Sequence, residues 1–135
     1  MLKKCAIQTL LTSNTENGVD TIRTEAKGGC LIEETGLMLR YVETENQGTA
    51  SLLLTDGLAD LKRNGNIRSR MTFVNGKLLP CTYVTPKGDL DFSIYTYKQC
   101  FEVTATGGYF IACYTLLAAG KHVAENVLTV AWEYE

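Results

Sequence analysis

Residues 52–76, LLLTDGLADLKRNGNIRSRMTFVNG, indicate the fold class of this chain. The dipeptides Asp56-Gly57, Asn64-Gly65 and Asn75-Gly76 divide the stretch into short runs in which apolar and polar side chains alternate. Asn-Gly or Asp-Gly between two alternating runs is the strongest short-range signal for a β-hairpin. The stretch therefore predicts consecutive antiparallel strands joined by tight turns.

The same pattern continues toward both ends of the 135 residues. Near the C-terminal end, Leu128, Val130 and Trp132 alternate with smaller or polar side chains, which gives a strand one core face and one wet face. No window of twelve residues carries the i, i+3, i+4, i+7 stripe of an amphipathic helix. The runs 19–27 and 29–35 also fit one long strand bent at Gly28-Gly29. The predicted strands are 3–13, 19–27, 29–35, 37–43, 49–55, 58–63, 67–74, 77–85, 90–97, 100–104, 109–117 and 122–134.

So many consecutive strands would expose long sheet edges unless the sheet closes on itself. We therefore predict an all-β fold, a single antiparallel up-and-down β-barrel of about eight to ten strands. Residues 1–135 form one domain, since this length leaves no room for two. The composition, 45% apolar and 21% charged, excludes a disordered or fibrous chain.

The balance of charges restricts the class of partner, and the cysteine content indicates the cellular compartment. Thirteen Lys and Arg against fifteen Asp and Glu disfavour nucleic acid, because phosphate binding needs a basic surplus or a basic face. No apolar run approaches the 18 residues of a membrane span, and no signal-peptide pattern is present. Five cysteines without a C-x-x-C spacing predict buried, reduced thiols and a cytoplasmic protein. A homodimer is left open.

Residues suited to catalysis are sparse. His122 is the single histidine, and its position after Gly120-Lys121 predicts a solvated turn rather than a catalytic or metal-binding role. Asp89 and Asp91 alternate with apolar residues, which favours a wet outer face over an acid pair. We predict no metal site, no cofactor and no catalytic residue, and an enzyme is the least favoured class.

The hairpin around Asn64-Gly65 allows its register to be argued. A two-residue turn would mix apolar and cationic residues on one face, whereas a three-residue loop, Asn64-Gly65-Asn66, separates them. The preferred register places Arg63 opposite Ile67 and Asp60 opposite Arg70. Arg63 then lies on the apolar face, which we expect to point into the barrel, with Ala59, Leu61, Ile67 and Met71.

An arginine at that position has two interpretations. It can extend out of the barrel mouth to cap a carbonyl or to pair with a carboxylate at the rim. Alternatively, its planar guanidinium can bind a carboxylate or phosphate inside the mouth. An anionic partner there would be poorly screened by water and would gain more than at an open surface.

Several segments carry a family resemblance. They are Arg63-Asn64-Gly65, Met71-Thr72-Phe73 with Gly76, the run 83–90, Thr96, Tyr114-Thr115-Leu116 and Asn126-Val127-Leu128. Over residues 3 to 134 the chain resembles the YwiB-like family of small bacterial proteins. The resemblance implies a calycin (lipocalin-like) β-barrel without an assigned function, and it supplies no catalytic set.

Two classes of function lead. The first is a small-molecule binder that uses the barrel interior, since mouths of such barrels often hold ligands. The second is a structural or protein–protein interaction module with a filled core. For the first class, we hypothesise that Arg63 forms the polar end of a pocket for a small amphipathic acid. Tyr83 and Tyr114, taken from the family-like segments, are the candidate hydroxyl donors.

Overall fold

The computed structural model describes all residues, 1–135, and consists of strands and short connections. No helix is present that could cross a membrane. The ten strands are β1 (Leu2–Thr15), β2 (Gly18–Glu33), β3 (Gly36–Glu43), β4 (Gly48–Thr55), β5 (Leu58–Asn64), β6 (Arg68–Phe73), β7 (Leu78–Thr85), β8 (Gly88–Val103), β9 (Gly107–Ala118) and β10 (Lys121–Tyr134).

The strands form one closed antiparallel barrel. Each strand pairs with its neighbours in the sequence, and β1 pairs with β10 to complete the circle. This arrangement confirms the predicted all-β, up-and-down barrel, and its ten strands are the upper limit of the predicted eight to ten. Closure gives every strand a neighbour on both sides, so free edges remain only where a ladder is shorter than its strands.

Two pairs of predicted strands are single strands. β2 runs through Gly28-Gly29 without interruption, as the second interpretation of that stretch allowed. Gly28 is required there because a Cβ atom would lie 2.2 Å from the carbonyl oxygen of Arg40 on β3. The predicted strands 90–97 and 100–104 are both parts of β8, whose register shifts at a β-bulge between Thr96 and Lys98.

The predicted register of the β5–β6 hairpin is wrong by two residues. Arg63 lies opposite Ser69, not Ile67, and Asp60 lies opposite Thr72. Because side chains alternate with a period of two, this shift preserves the faces, and Arg63 still points inward. The predicted contact between Asp60 and Arg70 also forms, on the diagonal, with Nη2 of the arginine 2.8 Å from Oδ2.

The core occupies the half of the barrel that holds the β2–β3, β4–β5, β6–β7 and β8–β9 connections, which we call the packed half. Its side chains are almost completely excluded from water, and their aromatic rings are in contact, with the Phe73 and Phe110 centroids 5.9 Å apart. The principal members of this core are Cys5, Leu37, Leu39, Leu54, Ala59, Phe73, Phe110, Val130 and Trp132.

The five cysteines form no disulfide. Cys5, Cys30 and Cys81 are buried, as expected, and burial raises the pKa of the Cys5 and Cys81 thiols to about 11. The expectation of burial is wrong for Cys100, which lies exposed on the outer face of β8, and Cys113 is half-buried. Strand alternation explains the difference, because Cys100 and its cross-strand partner Ile111 lie on the outward face.

Two ladders in the wall of the barrel leave part of their strands unpaired. The β2–β3 ladder ends at the pair Gly28–Tyr41, so residues 18–27 of β2 pair with β1 only. The β6–β7 ladder comprises two pairs, Arg68–Val84 and Ser69–Tyr83. Pro80, which has no amide proton to donate, lies on β7 next to the stretch where this ladder is absent.

Candidate functional site

A cavity of about 420 Å³ occupies the other half of the barrel, which we call the open half. Its volume falls within the 300–1,000 Å³ that is usual for small-molecule sites. About half of the residues that line it are apolar. The apolar lining includes Leu11, Ile22, Ala26, Leu61, Met71 and Leu128.

Arg63 and Glu43 form an ion pair at the cavity wall. Nε of Arg63 donates to both carboxylate oxygens of Glu43, at 3.0 and 3.1 Å. The two side chains are 29% and 18% exposed, so solvent screens the pair only in part. Neither Nη group of Arg63 donates to a protein atom, which leaves four N–H donors free on a side chain that lines the cavity.

A row of inward-facing residues, most of them polar, crosses five strands of the wall. The cross-strand pairs join Tyr41 on β3 to Ala50, Ala50 to Arg63, Arg63 to Ser69, and Ser69 to Tyr83 on β7. Oγ of Ser69 is buried without a hydrogen-bond partner. Buried polar groups are normally paired, so Ser69 is an exception within the row that leads from Arg63 to Tyr83.

Tyr114 faces the same cavity from β9. It is 4% exposed and lies opposite Asn126 on β10 and Thr96 on β8, both of which are buried. Oδ1 of Asn126 and Oγ1 of Thr96 have no atom in hydrogen-bonding geometry. The hydroxyl of Tyr83 contacts Sδ of Met71 at 3.8 Å, which is a weak interaction.

Burial keeps the cavity tyrosines protonated. It raises the pKa of Tyr41 to about 12, and it raises the pKa of Tyr83 and, more strongly, that of Tyr114. The nearby Arg63 guanidinium opposes these shifts only partly. At neutral pH these phenols are therefore hydrogen-bond donors and acceptors, not anions.

The β3–β4 connection fixes one rim of the cavity through Asn46. Its Nδ2 donates to the carbonyl of Ile67 at 2.9 Å, and its Oδ1 accepts from the amide of Ile67 at 2.8 Å. Its carbonyl accepts from the amide of Asn66 at 2.8 Å. These contacts hold the β5–β6 hairpin in its observed register, and they explain why the local sequence alone suggested another one.

The cavity opens sideways through the barrel wall. Beyond the pair Gly28–Tyr41, β2 and β3 separate, and residues 22–26 and 41–46 form the two sides of the opening. The rim carries charges of both signs, from Arg23, Arg63, Glu25, Glu43 and Glu45.

The structure brings the three predicted site residues together on one cavity. Arg63, Tyr83 and Tyr114 all line it, and Arg63 is paired with a rim carboxylate, as the first of its two interpretations expected. Glu43 and Tyr41 also line this cavity and were not predicted from the sequence. Their signal was available, because Leu37, Leu39, Tyr41 and Glu43 alternate along β3 and place an acid at an inward position near the strand end.

The other residues considered for chemistry lie outside the cavity. His122 is exposed at the start of β10 and pairs with Glu125, with Nε2 2.7 Å from Oε1. Asp89 and Asp91 are exposed, and Asp91 accepts a hydrogen bond from Thr82 at 3.0 Å. No three His, Cys, Asp or Glu side chains lie close enough together to hold a metal ion.

Comparisons with known proteins place this barrel in a family. A family model described as "Domain of unknown function (DUF1934)" matches residues 6–130. The chain belongs to this family. The crystal structure of the ywiB protein from Bacillus subtilis superimposes with a TM-score of 0.89 at 15% identity, covering 99% of this chain and 93% of that one. The YwiB-like resemblance is thereby confirmed, and at this identity the likeness shows the DUF1934 fold alone. A search of curated proteins finds no match.

Proposed function

We propose that the cavity of the open half binds a small amphipathic molecule with an acidic or hydrogen-bond-accepting end. The observation that carries this proposal is that Arg63, whose Nη groups form no hydrogen bond to the protein, lines a cavity of about 420 Å³. The apolar wall suits a hydrocarbon portion, and Arg63, Tyr83 and Tyr114 suit the polar end. A few polar groups in an apolar pocket are typical of small-molecule sites.

Glu43 determines which polar group of a ligand the site prefers. It neutralises Arg63 through Nε and leaves the planar edge formed by the Nη groups available, so a ligand carboxylate meets hydrogen-bond donors but no large net positive charge. A hydrogen bond to a charged group contributes about 1.5–3 kcal/mol. We therefore expect an acid to bind more tightly than an alcohol of the same length, and an amine to bind most weakly.

Isothermal titration calorimetry with dodecanoate, dodecanol and dodecylamine tests this order. Dodecanoate should bind the native chain, and Arg63→Gln should weaken its binding about tenfold or more while changing dodecanol binding little. Glu43→Gln should strengthen dodecanoate binding, because it removes the competing carboxylate. Arg68→Gln alters an exposed arginine of β6 that does not line the cavity and is the matched control.

The double variant Arg63→Gln, Glu43→Gln removes both charges and leaves no unpaired one, so it separates lost recognition from lost folding. It should bind dodecanol like the native chain and should no longer favour dodecanoate. Failure of all three probes to bind the native chain would contradict the proposal, and it would favour the interaction module instead.

Ligand binding within an up-and-down barrel is the mode of lipocalins, and we extend the proposal to a calycin relationship on that basis. We also propose a cytoplasmic location, since the five thiols form no disulfide and reduced thiols persist in a reducing compartment.

A further inference from the structure

One side of β2 is left without a partner strand along part of its length. Residues 18–27 pair with β1 on one side and have no strand on the other, and we call this stretch the β2 edge. Its residues 18–23 are all exposed, among them Val19 at 62% and Ile22 at 51%. A long exposed edge with apolar side chains is a template for pairing with another strand.

We propose that the β2 edge pairs with the β2 edge of a second copy of this chain, antiparallel and with a two-fold axis at Thr24. In this register Arg23 of each copy lies opposite Glu25 of the other, and Ile22 lies opposite Ala26. The two-fold axis repeats each contact, so the dimer gains two opposite-charge pairs on its outer face.

The charge pattern selects this register over its neighbours. A two-fold axis at Arg23 would place Arg23 opposite itself. An axis at Glu25 would place Glu25 opposite itself and Arg23 opposite Lys27. Like charges directly opposite each other destabilise a ladder. An axis at Ala26 would pair Glu25 with Lys27, but it would leave only three residues of the β2 edge to form the ladder.

Both charged residues are available for this role. Arg23 and Glu25 form no hydrogen bond or ion pair within the chain, and their partners on β1 are the uncharged Leu10 and Gln8. Both are exposed on the outer face of β2, where strand alternation directs them away from the interior. Exchanging their charges therefore leaves the net charge and the intrachain contacts of the barrel unchanged.

A charge-exchange experiment tests the register as well as the dimer. Sedimentation velocity over a wide range of protein concentrations should show a reversible dimer for the native chain. Arg23→Glu and Glu25→Arg should each weaken it about tenfold or more, because each places like charges opposite each other twice. The double variant Arg23→Glu, Glu25→Arg should recover the native affinity to within about threefold.

Arg68→Glu changes an exposed arginine on β6, away from the β2 edge, and should leave the dimer affinity unchanged. Circular dichroism of each variant checks that the barrel is folded. A native chain that stays monomeric at every concentration would overturn the proposal. So would a double variant that dissociates as readily as the single ones, since the Arg23–Glu25 pairing would then be absent.

Discussion

The two halves of this barrel are built from the same strands, but one half is filled with side chains and the other encloses a cavity. In the packed half, Phe73, Phe110 and Leu39 are fully buried and fill the interior. In the open half, the same strands β6, β9 and β3 present Met71, Tyr114 and Tyr41 to a cavity of about 420 Å³. Close packing is thus concentrated at one end of each strand, and the other end keeps space within the barrel.

The largest expected effect is the loss of unfolding free energy when a large side chain of the packed half is truncated, compared with a truncation in the open half. Phe73→Ala should lower the free energy of unfolding by about 3–5 kcal/mol, because it leaves a void among close-packed rings. Leu11→Ala, which borders the existing cavity, should cost only about 1 kcal/mol, since less close packing is lost. Urea unfolding of both variants measures the difference, and equal costs would show that the halves are packed alike.

Alkaline pH should affect the open half through Tyr41. Its pKa is about 12 in the folded chain and about 10 when unfolded, so the unfolded state loses its proton first. The stabilisation by the protonated phenol is complete below pH 10 and is lost as pH rises toward 12, roughly 2–3 kcal/mol in all. Tyr41→Phe should flatten the fall of unfolding free energy with pH over this window.

Asn46 supports the rim of the open half, and its loss should cost about 2 kcal/mol. Asn46→Ala removes both side-chain hydrogen bonds to the backbone of Ile67 and leaves that amide and carbonyl without their partners. Asn66→Ala, on an exposed side chain of the same hairpin, should change stability by less than about 0.5 kcal/mol. Chemical denaturation compares the two, and a neutral Asn46→Ala would mean that the hairpin holds its register without this contact.

The smallest effect is expected on the outer surface. Iodoacetamide should modify Cys100 in the folded chain well before Cys5, Cys30 and Cys81, and the change in unfolding free energy should stay within about 0.5 kcal/mol. Mass spectrometry should find five adducts after denaturation without reductant. Three or fewer would reveal a disulfide and contradict a reducing compartment.

Local sequence predicted what depends on alternation and turn residues. The strands, their faces and the inward position of Arg63 follow from a period of two and from Asn-Gly and Asp-Gly turns. The register of the β5–β6 hairpin does not, because it depends on Asn46, which lies 21 residues before Ile67.

The pairing of Arg63 with Glu43 and the sideways opening at Gly28 likewise depend on which strands meet in space. The Glu43 contact spans 20 residues, and the opening appears only where two strands separate in the closed barrel. The sequence of a single strand contains no signal for either feature. The candidate site was therefore predictable as a face of the sheet and as three of its residues, but not as an ion pair with an open rim.

The β6–β7 ladder has a consequence for how the barrel moves. β1 and β10, the strands farthest apart in the sequence, share ten pairs, whereas β6 and β7, joined by a short connection, share two. Cooperative unfolding must break the long ladder, but a local opening between β6 and β7 needs to break very little. Amide hydrogen exchange at this point would then report on breathing motions of the wall, and not on global stability. The closure between the two ends of the chain is thus held more firmly than the junction between two strands that follow each other in the sequence.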